Sequence, residues 1–188
     1  MKLLIIPGTL RKESFNKKMG KIAEKLAKEV GFNTTYIELN DFPFPLLNQD
    51  ETDRFEFPET VLDAKKLLLA HDAFLFVSGE YNASVPAVLK NFIDWTSRAS
   101  SKEDRPGTCY NGKVAGLMSA SPSPFGGLRA VLHLREILSI LSVFVIPQDK
   151  VIPVAHEAFK DHNLSDTHLQ AMKKSLQMLH QVTKNLGH

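Results

Sequence analysis

Cysteine is almost absent from this 188-residue sequence. Cys109 stands alone, so no internal disulfide can form, and the chain suits a reducing, cytoplasmic compartment. Excess charge is lacking too: 23 Lys and Arg face 21 Asp and Glu, a net charge of +2. That balance argues against a nucleic-acid protein working through a basic face and against an acidic electron carrier. Long apolar runs are missing. The longest, Ile137 to Ile146, carries Ser139 and Ser142 and is half the length of a membrane span. Leu3-Leu4-Ile5-Ile6 is cut at once by Pro7-Gly8, too short for a secretory h-region. Metal-ligand spacing is also missing, because His156, His162 and His168 lie six apart and suit neither a helical pair nor a zinc knuckle. Asn33, Asn82 and Asn163 begin Asn-x-Ser/Thr triplets that read as chance matches in a cytosolic chain. With no repeat, low-complexity tract or linker, residues 1–188 read as one domain, large enough for a core without disulfide or metal.

What remains is an alternation of short apolar runs and helical stripes. Leu3–Ile6 predicts a strand buried on both faces. Met19, Ile22, Ala23, Leu26, Ala27 and Val30 predict one face of a helix that Gly31 closes. Thr35, Ile37 and Leu39 alternate as in a half-exposed edge strand. Asn40 to Pro58 shows no period, and a helix follows from Glu59 to Ala70. Ala73–Val77 predicts a second buried strand. Ser84 and Pro86 occupy the expected cap and first turn of a helix carrying Leu89, Phe92, Ile93 and Thr96. A polar loop, Arg98 to Asn111, leads to strand Val114–Met118; Gly126-Gly127 opens a helix, and Val143–Ile146 is the last strand. Ser165 caps a terminal helix ending at Gly187. Five strands alternating with five helices predict a doubly wound α/β/α sandwich with a parallel sheet of order 2-1-3-4-5, the flavodoxin-like arrangement.

Ligands in such sheets bind beyond the carboxyl ends of the strands, where the strand order reverses. Three post-strand loops there are rich in small and hydrogen-bonding residues: 8–16, 79–84 and 119–127. The first has the chemistry a phosphate needs. Gly8 permits a tight turn, Thr9 and Ser14 carry hydroxyls, Arg11 a fixed positive charge and Asn16 an amide, just ahead of a helix N-terminus. It is neither a Walker loop nor a dinucleotide fingerprint. The second loop combines aromatic Tyr81 with Glu80 and Asn82, a mix that holds planar heterocycles. Each loop alone also fits an ordinary capped turn; their coincidence is what points to a site.

These residues resemble the NADPH-dependent FMN reductase family, which includes chromate and quinone reductases and flavin-dependent azoreductases. Its Gly-Ser-x-Arg-x-x-Ser-x-Asn pattern is similar to residues 8–16, with Thr9 retaining the hydroxyl. Its Pro-Glu-Tyr-Asn-x-Ser-x-Pro-Gly-x-Leu-Lys-Asn-x-Ile-Asp-Trp pattern is similar to Gly79 through Trp95, with Gly79 for Pro and Ala87 for Gly. Its Ser-Pro-Gly-x-x-Gly-Gly-x-Arg pattern is similar to Ser121 through Arg129, with Ser123 for Gly. The resemblance implies bound FMN, with Thr9, Arg11, Ser14 and Asn16 on its phosphate and Glu80, Tyr81 and Asn82 along the ring system. Ser121 and the loop after it, with Phe125 and Gly126, would flank the ring, and Phe15 and Gly79 complete the implied contact set.

By the same resemblance, NADPH or NADH reduces the flavin and a small acceptor (quinone, flavin, azo compound or metal oxyanion) then takes the electrons, a ping-pong scheme. The chain itself supplies no nucleophile, general base or metal, and Cys109 reads as an incidental thiol. The alternatives are a flavodoxin-type electron carrier, which a pI near 8.6 opposes, and a scaffold or regulator with an altered flavin pocket. The resemblance also implies a homodimer or homotetramer. Phe42, Phe44, Leu46, Leu47, Phe92 and Trp95 form either its association surface or local packing. No nucleic acid or membrane partner is expected.

Overall fold

Leu3, Leu4, Ile5 and Ile6 are all wholly buried, because the strand they form has helices on both of its faces. The computed structural model describes residues 1–159 and 164–187; His162 and Asn163 lie outside the described residues. Its strands are β1 (Lys2–Gly8), β2 (Asn33–Tyr36), β3 (Ala73–Ser78), β4 (Val114–Ala120), β5 (Phe144–Val145) and β6 (Lys150–Ile152). Its helices are α1 (Phe15–Val30), α2 (Gln49–Thr52), α3 (Glu59–Leu69), α4 (Ala87–Thr96), α5 (Leu128–Ile140), α6 (Ala155–Ala158) and α7 (Asp166–Asn185). All strand pairs are parallel, in the order β2-β1-β3-β4-β5, with β6 also on β4. The expected order therefore holds.

Alternate residues of the central strands feed two cores. Leu3, Ile5, Leu75, Val77 and Met118 meet Met19 and Ala23 of α1 and Met172, Leu176 and Leu179 of α7. Leu4, Ile6, Phe74, Phe76 and Leu117 meet Leu68 of α3, Leu89 and Phe92 of α4, and Val131, Leu134 and Leu138 of α5. At the sheet's centre β1 and β3 pair from Leu3–Ala73 to Gly8–Ser78, so both strands end together at one edge.

Four expectations change. The last strand is not one run over 143–146 but the two-residue β5; Pro147 interrupts the ladder, and β6 resumes it against Met118–Ala120. The edge alternation through Leu39 stops at Tyr36. Lys17 reaches Glu38 at 2.5 Å and Asn40 at 3.0 Å, and Leu39 is buried in a 3₁₀ turn. Short α2 lies within the segment expected to be irregular. Ser84 does not cap α4: Pro86 holds the cap position without a side-chain bond, and Ser84 Oγ meets His133 Nδ1 at 3.0 Å.

The aromatic segment around Phe42 makes local packing contacts. Phe44 stacks on Phe92 with centroids 5.6 Å apart, Trp95 is wholly buried, and its Nε1 donates to Pro45 O at 2.7 Å. Leu46 stays largely exposed there. Cys109 is buried rather than in an open polar loop, and burial pushes its thiol up to about 11, which suits the inert thiol expected. No described helix is long and apolar enough to cross a membrane. Among the described residues no cluster could hold a metal.

Candidate functional site

The C-terminal ends of β1, β3 and β4 converge on a cleft of about 110 Å³. Thr9, Arg11, Ser14, Phe15, Asn16, Gly79, Glu80, Tyr81 and Ser121 line it, as the sequence predicted. Asn82, Phe125 and Gly126 are not brought into its lining. Pro86, Ala120 and Pro122 are, and sequence reasoning missed them. Ala120 could have been found as the last residue of β4, since such sites lie at strand ends.

The phosphate-like part is built by the entry into α1. Ser14 is its N-cap, and its Oγ accepts from Asn16 N at 3.2 Å. Thr9 Oγ1 accepts from Arg11 N at 3.2 Å. Both hydroxyls are buried, and each keeps its own proton to donate into the cleft. The first N–H groups of α1 have no carbonyl within the helix to bond, which makes its start favourable for an anion. Arg11 is exposed and forms no ion pair with any described residue, so its charge is available. Gly8 does not serve the turn as expected. It is the last residue of β1, and a Cβ there would lie 2.6 Å from Leu89 Cδ2, so its bareness lets α4 pack close.

Asn16 has another task than the one expected. Its Nδ2 donates to Ala120 O at 3.0 Å and its Oδ1 accepts from Ala120 N at 2.8 Å. The side chain is buried and clamps the first loop to the end of β4. Phe15 packs its ring against Phe159, 5.5 Å between centroids, while bordering the cleft.

Glu80 lines the cleft and also has a partner within the fold. Its Oε2 accepts from Ala130 N at 3.2 Å, in the first turn of α5. The cap residue of that helix, Gly127, has no side chain, so Glu80 supplies the missing acceptor and a charge that suits the helix dipole. Gly126 and Gly127, both at positive φ, lie close to the protein's own atoms. A Cβ on Gly126 would lie 2.7 Å from Pro153 N, and one on Gly127 would overlap Ser119 Oγ.

Tyr81 and Ser84 exchange two backbone hydrogen bonds of 3.0 Å across Asn82 and Ala83, both at positive φ, as in a tight hairpin turn. The turn projects Tyr81 with 60% of its surface exposed. Asn82 sits at the exposed tip. Outside the lining Phe125 is exposed, with the Arg129 guanidinium 4.4 Å from its ring centroid. Ser119 Oγ at the end of β4 and Ser123 Oγ in the loop after it are buried without partners. Two free hydroxyl protons, an unpaired guanidinium and a helix start make a donor set that fits a phosphate monoester. The rim from Tyr81 to Ser121 leaves an open shelf for a planar group beside it. These residues fit FMN.

Comparison with known proteins gives the same chemistry. An NAD(P)H-dependent FMN reductase of Pseudomonas aeruginosa is 35% identical over 185 residues, covering 95% of this chain and 93% of that protein. An NADPH:quinone oxidoreductase of Arabidopsis thaliana is 35% identical over 148 residues, 78% of this chain and 70% of that one. Among solved structures, the flavoenzyme NAD(P)H:(acceptor) oxidoreductase FerB of Paracoccus denitrificans superposes with a TM-score of 0.80 at 25% identity, over 100% of this chain and 99% of that one. The family model described as NADPH-dependent FMN reductase matches residues 1–157, and this chain belongs to that family of enzymes.

Proposed function

We propose that this protein is an FMN-dependent oxidoreductase that takes a hydride from NADPH or NADH and passes two electrons to a small acceptor, a quinone foremost, by a ping-pong scheme. The observation that carries this reading is the meeting of the α1 start, the buried hydroxyls of Thr9 and Ser14 and the unpaired Arg11 in one cleft. The Arabidopsis thaliana relative, named an NADPH:quinone oxidoreductase, supports the choice of quinone.

Bound FMN would supply the hydride-accepting and hydride-donating chemistry. The chain's own residues hold and shape the site. Thr9 Oγ1, Ser14 Oγ and the first N–H groups of α1 donate to the phosphate, and Arg11 neutralises it. Asn16 keeps the phosphate loop in register with the end of β4. Glu80 anchors the hairpin to α5, so that Tyr81 is presented from a fixed base although its ring is free. Tyr81 borders the cleft with its ring in solvent, where an aromatic donor or acceptor would stack.

We further infer that residues 1–188 act as one cytoplasmic domain, assembled as a homodimer or homotetramer. The test of the catalytic reading is a spectrum of the purified protein with added FMN, followed by NADPH and then benzoquinone. Flavin bands near about 370 and 450 nm that bleach with NADPH and return with quinone are expected. Bands that neither NADPH nor NADH bleaches would refute catalysis, and a protein that takes up no FMN would refute the site.

A further inference from the structure

A second and larger cleft, of about 590 Å³, lies at the other end of the sheet, between the C-terminal ends of α4 and α5 and the loop before β4. We propose that it is a binding site for a small organic carboxylate with an apolar body, distinct from the flavin site. Its volume is in the range of ligand pockets, about 300–1,000 Å³. Its lining includes Arg98 and Arg105 and not one carboxylate. Neither guanidinium forms an ion pair with any described residue. Arg98 Nε is buried without a hydrogen-bond partner, and such an unmet buried donor is rare in a native protein.

The guanidinium groups are not needed to hold the loop. Lys65 Nζ donates to the Arg98 backbone carbonyl and to Asp104 Oδ2, the latter at 2.7 Å. Asp104 Oδ2 also accepts from Ser100 N and Oγ, and its Oδ1 from Arg105 N at 2.8 Å. Asp104, an acid of this loop, is thus committed to the loop itself. The C-termini of α4 and α5 bring about half a negative charge each, and two guanidinium groups exceed that by about one unit. The cleft is therefore electropositive.

Apolar side chains share the lining. Ile140 is 84% exposed, the highest among the large hydrophobic side chains of the described residues, and Leu141 and Pro106 join it. A bare inorganic anion would make no use of those side chains. A carboxylate matches the planar fork of a guanidinium, and an attached ring or chain would cover Ile140. Helix α4 of 10 residues and helix α5 of 13 separate the two clefts by about 15–20 Å, so a ligand here does not displace flavin.

The test is calorimetric titration of the FMN-saturated protein with 1-naphthoate and, separately, with inorganic phosphate. Saturable naphthoate binding with a dissociation constant below about 1 mM is expected, with phosphate at least about tenfold weaker. The double variant Arg98→Gln, Arg105→Gln should weaken naphthoate about tenfold or more. Ile140→Asp should do the same without lowering the melting temperature, since its side chain is in solvent, and it carries the test if the double variant does not fold. No binding below about 10 mM, affinity unchanged in both variants, competition with FMN, or phosphate binding as tightly as naphthoate would each overturn the proposal.

Discussion

Replacing Asn16 with alanine removes the clamp between the phosphate loop and β4, and the cost can be worked out bond by bond. Two buried hydrogen bonds disappear, Nδ2 to Ala120 O at 3.0 Å and Ala120 N to Oδ1 at 2.8 Å. Both backbone groups of Ala120 lose the partner that Asn16 gave them, and a buried group left unmet costs about 1–3 kcal/mol. Ala120 borders the cleft, so water reaches part of the gap and the lower half of that range applies to each. Alanine returns about 0.5 kcal/mol through its better helix propensity in the first turn of α1. The net loss is about 1.5–3.5 kcal/mol. With a urea slope of about 2 kcal/mol per molar for a chain of this size, the unfolding midpoint falls by about 0.8–1.8 M. FMN affinity should fall with it, because the loop carrying Thr9, Arg11 and Ser14 loses its fixed register. A midpoint shift under about 0.3 M would refute the clamp. Asn16→Asp sharpens the test. It keeps the acceptor for Ala120 N but turns a carboxylate towards Ala120 O, so its penalty should shrink at pH 4, where a protonated acid can donate.

Four further outcomes are expected. Arg11→Ala should weaken FMN binding by about 1.5–3 kcal/mol, the scale of a hydrogen bond to a charged group, with the melting temperature of the flavin-free protein unchanged; flavin fluorescence titration checks it. Tyr81→Ala should change acceptor KM or kcat and leave urea stability within about 0.5 kcal/mol, since the ring is largely in solvent; a large stability loss would make Tyr81 a packing residue. Ala83→Gly should raise stability by about 0.5 kcal/mol, because relief of a left-handed alanine, about 1–2 kcal/mol, exceeds the added flexibility of the unfolded chain; thermal unfolding reads it. Burial raises the Asp104 pKa, but hydrogen bonds from Lys65 and Ser100 outweigh it and hold the carboxyl well below its usual range. Its contribution is therefore complete above the unfolded pKa near about 4 and is lost as pH falls through the folded value. Asp104→Asn should flatten the acid limb of a stability–pH curve, and an unchanged limb would refute the linkage.

The parts of the molecule legible in the sequence are those governed by local patterns. The buried runs of β1, β3 and β4 and the stripes of α1 and α7 announce themselves because each has apolar spacing matched to its geometry. From these the sheet order follows, and with it the end at which the site lies. What escaped depends on partners distant in the chain. The carboxylate of Glu80 finds Ala130, fifty positions on, and Asn16 finds Ala120 across more than a hundred. Side-chain type revealed that both were polar residues near the cleft, not whom they would face. Strand β6 escaped for another reason: Lys150-Val151-Ile152 is too short to show a period and is recognisable only beside β4. Cys109 and Tyr110 belong to a polar stretch by composition, yet Gly107 and Gly112 turn the chain so that both enter the core.

The break in the last strand has a consequence for the protein's behaviour in a crowded cell. Unpaired strand edges are templates on which other chains can add, and a parallel sheet with both margins open would be exposed to that hazard. Here one margin is β2, only four residues long, and the other is divided between β5 and β6, of two and three residues. Pro147 has no N–H to offer between them. No foreign strand meets an uninterrupted row of more than four residues on either side. The same interruption that hid the sixth strand from the sequence thus guards the sheet against aggregation.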